Sequence, residues 1–214
     1  MSVDIYKDDA YHLNSQLKNC GGAMRVSQEE KQKSRQRIIE SAARLVRERG
    51  IEGTSVADVM QAAGMTHGGF YRHFQTKEEM LEAGISSAFG QMTRLKHQLH
   101  TQLGVKGGHE AFRRLYLSAE HLKGVGKGCP VAACAAEVAR MDKSIRQPFA
   151  GGIEAMLATI AEAIPGSESE KRAAAIRELA VMVGAIVMAR TCDGPTANEI
   201  LEICLRGLHE DGRK

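Results

Sequence analysis

The stretch from Thr54 to Met80, TSVADVMQAAGMTHGGFYRHFQTKEEM, constrains the rest of this chain most strongly. It spells two short helices joined by a tight turn, with a third helix beginning behind them. Thr54 or Ser55 can cap the first helix, because a hydroxyl beside an opening turn accepts an orphan backbone N–H. Val56, Val59 and Met60 then give an apolar face at helical spacing. Ala62-Ala63-Gly64-Met65 reads as the turn, with Gly64 free to take positive φ at the helix end. Thr66 caps the second helix, whose body from His67 to Phe74 is short, cationic and aromatic. Thr76 caps the third, with Glu78 and Glu79 in the first turn, where the helix dipole favours negative charge. Two short helices about a glycine turn are the layout of a helix-turn-helix DNA reader.

Composition narrows the class. The chain has 214 residues, 43% hydrophobic and 26% charged, which fits a soluble globular protein with a substantial core. A formal charge of +3 does not mark a nucleic-acid binder, so the local distribution must carry that argument. No apolar run approaches the ~20 residues that span a bilayer. No apolar core follows a basic start, so no secretory signal is expected. Five scattered cysteines argue for a reducing, cytoplasmic setting rather than a disulfide framework. Four prolines, no tryptophan and no alternating β-branched runs point to an all-α fold.

Ahead of the reader, Ser27-Gln28-Glu29-Glu30 has the form of a capping box. The helix it opens places Ile38, Ala42, Leu45, Val46 and Arg49 on one buried stripe, and Gly50 ends it. Lys31, Lys33, Arg35, Arg37, Arg44 and Arg47 take the opposite face. From Lys31 to Arg49 seven basic residues stand against two acidic ones, Glu40 and Glu48. Next to a helix-turn-helix, such a face favours phosphate contact, since each cation gains by releasing a counterion. Residues 1–26 read as a flexible arm, and Met24 could itself begin the folded chain.

The ordered set from Arg37 to Met80 resembles the DNA-binding domain of TetR-family transcriptional regulators. A basic first helix ends in Arg49-Gly50. Gly53-Thr54-Ser55 and the Ala62-Ala63-Gly64-Met65-Thr66 turn follow. Gly68, Phe70-Tyr71 and His73-Phe74 then occupy the recognition helix, with Lys77 after it. The resemblance covers about a quarter of the chain. The remainder matches only in helix number and length. The resemblance implies a reading domain over 27–75, an effector-binding and dimerisation domain over 76–214, and about nine helices in all.

Within that frame Phe70 and Phe74, four apart, face inward. Tyr71 lies off their face, within reach of a phosphate. Thr54, Ser55 and Thr66 at helix N-termini, and Lys77, add further phosphate contacts. His67, Gly68, Gly69, Arg72 and His73 are left to meet base edges, with the two glycines permitting close approach. Arg72 is the best specific reader, since a guanidinium can bridge O6 and N7 of guanine. His67 and His73 are six apart and do not align on one helix face, so no metal site is expected.

Beyond the reader, a long amphipathic helix from Met80 is expected to end near Gly104, with Gly84 and Gly90 either as flexing points or as close-packing sites. Under the resemblance, a shift of this helix transmits the signal. Val105–Gly108 reads as a loop, and His109–Lys123 as the next helix, with Phe112, Leu115, Tyr116, Ala119 and Leu122 inward. His97 and His100 read as surface histidines. Gly124–Gly128 lacks a preceding strand and a following Lys-Ser/Thr, so it is no nucleotide loop. Cys129 and Cys134 begin a small-residue helix and diverge too far around it to pair. The helix through Leu179–Ala189 is apolar on nearly every side, and a last apolar helix follows Thr196. One small domain cannot cover both, so a second copy is expected to pack on these two helices.

The function expected is that of a homodimeric regulator of a palindromic DNA operator, most simply a repressor released by a small molecule. Met92, Phe112, Tyr116, Cys134, Met156 and Met188 are the expected pocket lining, and their character points to an apolar or aromatic effector. The competing expectations are a thiol sensor using Cys129, Cys134, Cys192 or Cys204 on the same scaffold, and an all-α enzyme. The sequence holds no catalytic arrangement or cofactor fingerprint at usable spacing, so neither an activity nor a cofactor is expected.

Overall fold

Helices joined by short turns make up all the regular structure of the computed structural model, which describes residues 9–211, with side chains over 27–209. The α-helices are α1 (Asp9–Arg49), α2 (Val56–Ala62), α3 (Lys77–Tyr116), α4 (Ala119–Lys123), α5 (Pro130–Val138), α6 (Lys143–Ala161), α7 (Glu168–Arg190) and α8 (Pro195–Asp211). Two 3-10 helices, His67–Arg72 and Val125–Lys127, complete the described set. From Ile38 onward the chain packs as one unit, and the segment through Arg37 forms another.

Several helix ends differ from expectation. α1 begins at Asp9 rather than Ser27, so Ser27 has no open first turn to cap. Of the arm expected over 1–26, residues 1–8 lie outside the described residues and the rest is helical backbone. Val105–Gly108 is helix, not loop. α3 runs on to Tyr116 and is broken only at Gly104, whose φ of 73° and ψ of 166° are open to glycine and costly for other residues. A Cβ on Gly108 would lie 2.5 Å from the Leu99 and His100 backbone, so that glycine serves the close return of the chain beyond the kink. The helix expected to reach Lys123 stops at Tyr116, and Ser118 caps α4 by accepting from the His121 N–H at 3.2 Å. Leu115 and Ala119, expected inward, are exposed.

The core of the larger unit forms where α3 packs on α6, α6 on α7, and α7 on α8. Phe89 and Phe149 meet edge to face at 5.0 Å, a geometry worth about 0.5–1.5 kcal/mol beyond their area. Ile85, Ile160, Met182 and Ile186 fill the space around them. α7 opens with a full capping box between Ser167 and Glu170. It is not buried all round, contrary to expectation. Ile176, Val181, Val187 and Met188 are 39–51% exposed, and Ile203 of α8 joins them at 51%.

Candidate nucleic-acid interface

The reader is built by its caps. Ser55 accepts from the Asp58 N–H at 3.1 Å and starts α2, while its own hydroxyl donates to the Asp58 carboxylate at 2.5 Å. That bond is the main cause holding the Asp58 carboxyl below its usual range. At the other end Gly64 has φ 69°, its N–H reaches the Gln61 carbonyl, and the Met65 N–H reaches the Met60 carbonyl. This is the two-bond glycine cap that turns a chain sharply out of a helix. The recognition segment His67–Arg72 is a 3-10 helix rather than an α-helix. Its tighter winding, three residues per turn, sets Phe70 inward and leaves its neighbours out.

Phe70 and Phe74 are both buried, with rings stacked at 6.0 Å. Burying each contributes roughly 1.5–3 kcal/mol. Tyr71 stands 74% exposed and meets the Phe70 edge at 5.2 Å. Thr66, His67, Gly68 and Arg72 are exposed, and Gly69, His73 and Lys77 are half-buried. A Cβ on Gly68 would meet nothing within 4 Å, and one on Gly69 would find only ordinary contact at 3.6 Å. Packing inside the chain therefore requires neither glycine.

Burial corrects two expected DNA contacts, and local bonding engages a third. Thr54 is fully buried and donates its hydroxyl to the Gly50 carbonyl at 2.6 Å, so it locks the α1–α2 turn. Ser55 is exposed, and its hydroxyl is engaged in the cap, donating to the Asp58 carboxylate. Arg47, expected on the solvent face, is 4% exposed and donates to the Gly128 carbonyl at 3.1 Å and to Gln91 Oε1 at 2.7 Å. Burial lowers its basicity, with the nearby Cys134 and Cys129 acting against that shift. Conversely Arg49, expected on the buried stripe, is half exposed and pairs with Asp58 at 3.4 Å.

Arg47 belongs to a set of bonds that tie the reader to the body and that no motif announces. Glu137 of α5 accepts from the Ile51 and Glu52 N–H groups at 2.9 and 2.7 Å. Cys134 donates its thiol to the Val46 carbonyl at 3.3 Å. Burial pushes the Cys134 thiol up to about 12 and raises the fully buried Cys129 thiol as well.

A cavity of about 340 Å³ lies beside these ties, lined by Met92, Leu95, Phe112, Leu115, Tyr116 and His121 and by Gly124 and Lys127. Met92, Phe112 and Tyr116 of the expected pocket thus come together. Cys134 and Met156 are buried elsewhere in the core, and Met188 is 51% exposed on α7, so these three do not line the cavity. The Tyr116 hydroxyl is buried near the Cys129 thiol without a well-aligned partner among the described residues, and burial raises its pKa well above the usual value. His121 accepts from the Cys129 N–H at Nε2 and donates from Nδ1 to the Tyr116 carbonyl, which fixes the ring and its tautomer. His121 was missed because its role depends on backbone groups brought to it by the fold. Among the described residues, no group of three or more His, Cys, Asp or Glu is placed to hold a metal ion.

A helix-turn-helix on a larger all-helical body defines a class of DNA-binding regulators. Residues 38–83 match the family model for bacterial regulatory proteins of the tetR family. TtgR, an HTH-type transcriptional regulator of Pseudomonas putida, is 41% identical over 64 residues, 30% of each chain. The match therefore spans only 30% of TtgR's length. An HTH-type transcriptional regulator of Mycobacterium tuberculosis is 26% identical over 188 residues, covering 81% of this chain and 93% of that one. The crystal structure of Escherichia coli NemR in its reduced form shares the fold, with a TM-score of 0.69 at 19% identity over 83% of this chain and 96% of NemR. Residues 38–83 thus carry a DNA-binding domain of the tetR family, and the chain as a whole shares the fold of TetR-family structures.

Proposed function

We propose that this chain is a sequence-specific, DNA-binding transcriptional regulator, acting as a two-fold dimer and released from a palindromic operator by a small apolar or aromatic molecule. The observation that carries this is the outward face of the recognition segment. His67, Gly68, Tyr71 and Arg72 project from a segment pinned by Phe70 and Phe74. Two glycines there have no use inside the fold, yet each costs about 1 kcal/mol relative to Ala in a helix. Close approach to a groove accounts for them. In this reading Arg72, with His67 and His73, faces base edges, while Thr66, Tyr71 and Lys77 seat the segment on phosphate.

The reading head occupies 27–75 and the effector and dimerisation body 76–214. The 340 Å³ cavity takes the effector, and its size suits a single small ligand. Val181, Val187 and Met188 of α7 and Ile203 of α8 pair with the same residues of a second copy, as their exposure supports. No described helix is long and apolar enough to cross a membrane, which accords with action on DNA in the cytoplasm. Burial and raised pKa values disfavour thiolate chemistry at Cys129 and Cys134.

Gel retardation with the DNA upstream of the protein's own gene tests the proposal. A retarded complex is expected at low salt, and none with intact dimer present would sink it. Arg72→Ala should weaken binding to that DNA by roughly 1–3 kcal/mol and leave random DNA nearly unaffected. Equal losses on both would remove Arg72 from base reading.

A further inference from the structure

A second cavity, of about 1010 Å³, lies between the second half of α3, the α6–α7 turn, α7 and the end of α8. It shares no lining residue with the cavity beside Tyr116. Its floor holds a buried ionic cluster. Arg113 Nη2 donates to Glu178 Oε2 at 2.6 Å, and His109 Nε2 meets the same oxygen at 3.2 Å. Arg113 Nη1 donates to the Leu208 carbonyl at 3.0 Å. Glu178, His109 and Arg113 are only 3%, 5% and 9% exposed. Burial alone would raise the Glu178 carboxyl, but the His109 and Arg113 hydrogen bonds outweigh it and hold the group below its usual range.

The cluster is not closed. Arg113 Nε, His109 Nδ1 and Glu178 Oε1 are all buried with no hydrogen-bond partner among the described residues. Buried polar atoms are nearly always paired, so three in one cluster on a cavity wall point to something that enters the cavity. The wall's charge says what kind. Lys106, Arg113, Arg114 and Arg177 line it against Glu110 and Glu178, an excess of two positive charges before either histidine is counted. Arg113 pairs with Glu178 at 2.6 Å and Arg114 with Glu110 at 4.0 Å, which leaves Lys106 and Arg177 as the excess facing the cavity. Val105, Ile164 and Leu208 supply apolar wall beside it.

We infer that this cavity is a second small-molecule site, distinct from the effector cavity, for an amphipathic organic anion: a carboxylate on a compact apolar body. The carboxylate lies toward Arg113, Arg177 and Lys106, and the apolar body lies along Val105, Ile164 and Leu208.

Isothermal titration of the full chain with sodium octanoate and with octan-1-ol tests this. Octanoate should bind once per chain, and the alcohol about tenfold more weakly or worse, since it lacks the charge. Arg177→Gln and Lys106→Gln, at the open rim, should each lower octanoate affinity several-fold with the circular dichroism spectrum unchanged. Leu115→Gln, in the other cavity, should leave octanoate binding intact. The inference is overturned if octanoate does not bind at millimolar concentration, if the alcohol binds as well, or if Leu115→Gln rather than Arg177→Gln abolishes binding. The last result would place the anion beside Tyr116.

Discussion

Lys96 is 1% exposed, yet it carries an ammonium group in the core. Its Nζ donates to the Thr159 carbonyl at 2.7 Å and contacts His100 at 3.2 Å. Thr159 stands in the last turn of α6, where the Ala163 N–H turns instead to the Ile160 carbonyl. Lys96 therefore caps a carbonyl that the helix cannot satisfy, and a cation is favoured at that end of the dipole. Burial nevertheless lowers its pKa from 10.5 to about 8, with Glu178 and Glu162 resisting the shift. Between those two values the unfolded chain holds a proton that the folded chain has released, so stability gained from this group rises with pH and is lost as pH falls toward 8. Urea unfolding of wild type and Lys96→Met from pH 7 to 10 should show wild type gaining on the variant above pH 8, by on the order of 1–3 kcal/mol. The raised Cys129 and Cys134 thiols pull the other way at alkaline pH, but they are common to both proteins. A constant gap would refute the assignment. Phe70 and Phe74 were legible as core because a wholly apolar ring gains most from burial, whichever helix type carries it. Sequence spacing could not place Thr54, Arg47 or Lys96, whose positions depend on carbonyls supplied by Gly50, Gly128 and Thr159.

At the scale of elements, α3 matters most, because it begins directly behind the reader and ends at both cavities. Gly84 sits where it crosses α1. A Cβ there would lie 2.9 Å from the Ala42 Cβ and 3.2 Å from the Ala43 backbone nitrogen, so the glycine is a contact point between helices. Gly84→Ala must push backbone apart and should cost about 1–3 kcal/mol, read as a lower midpoint in thermal or urea unfolding. Gly90→Ala meets only the mobile end of Arg94 at 3.0 Å and should cost less. Equal effects would mean helix propensity, not contact, governs both sites. The helix-turn-helix was legible because its caps and glycine turn are local chemistry. The extent of α3 was not, because Gly107 and Gly108 look like a loop until the chain is seen returning on Leu99 and His100.

For the whole molecule, the exposed apolar residues on α7 and α8 are the largest departure from a self-contained fold. A sequence can show that two apolar helices exist, but not which side of each is left open. Val187→Glu together with Met188→Glu should yield a monomer in sedimentation equilibrium that retains its helical spectrum. That monomer should lose most operator affinity, since half-sites about 34–36 Å apart need two heads. A dimer surviving the double change would move the interface elsewhere. The bonds from Arg47 to the Gly128 carbonyl, and from Glu137 to the Ile51 and Glu52 N–H groups, carry a thermodynamic obligation. Gly124 and Lys127 line the cavity beside Tyr116 and lie in the turn that leads to Gly128. If filling that cavity loosens the grip on the operator by some factor, operator DNA must loosen the grip on the effector by the same factor. Each promoter copy would then act on the effector as well as responding to it, and protein seated on DNA would register the molecule only at higher concentrations than protein free in solution.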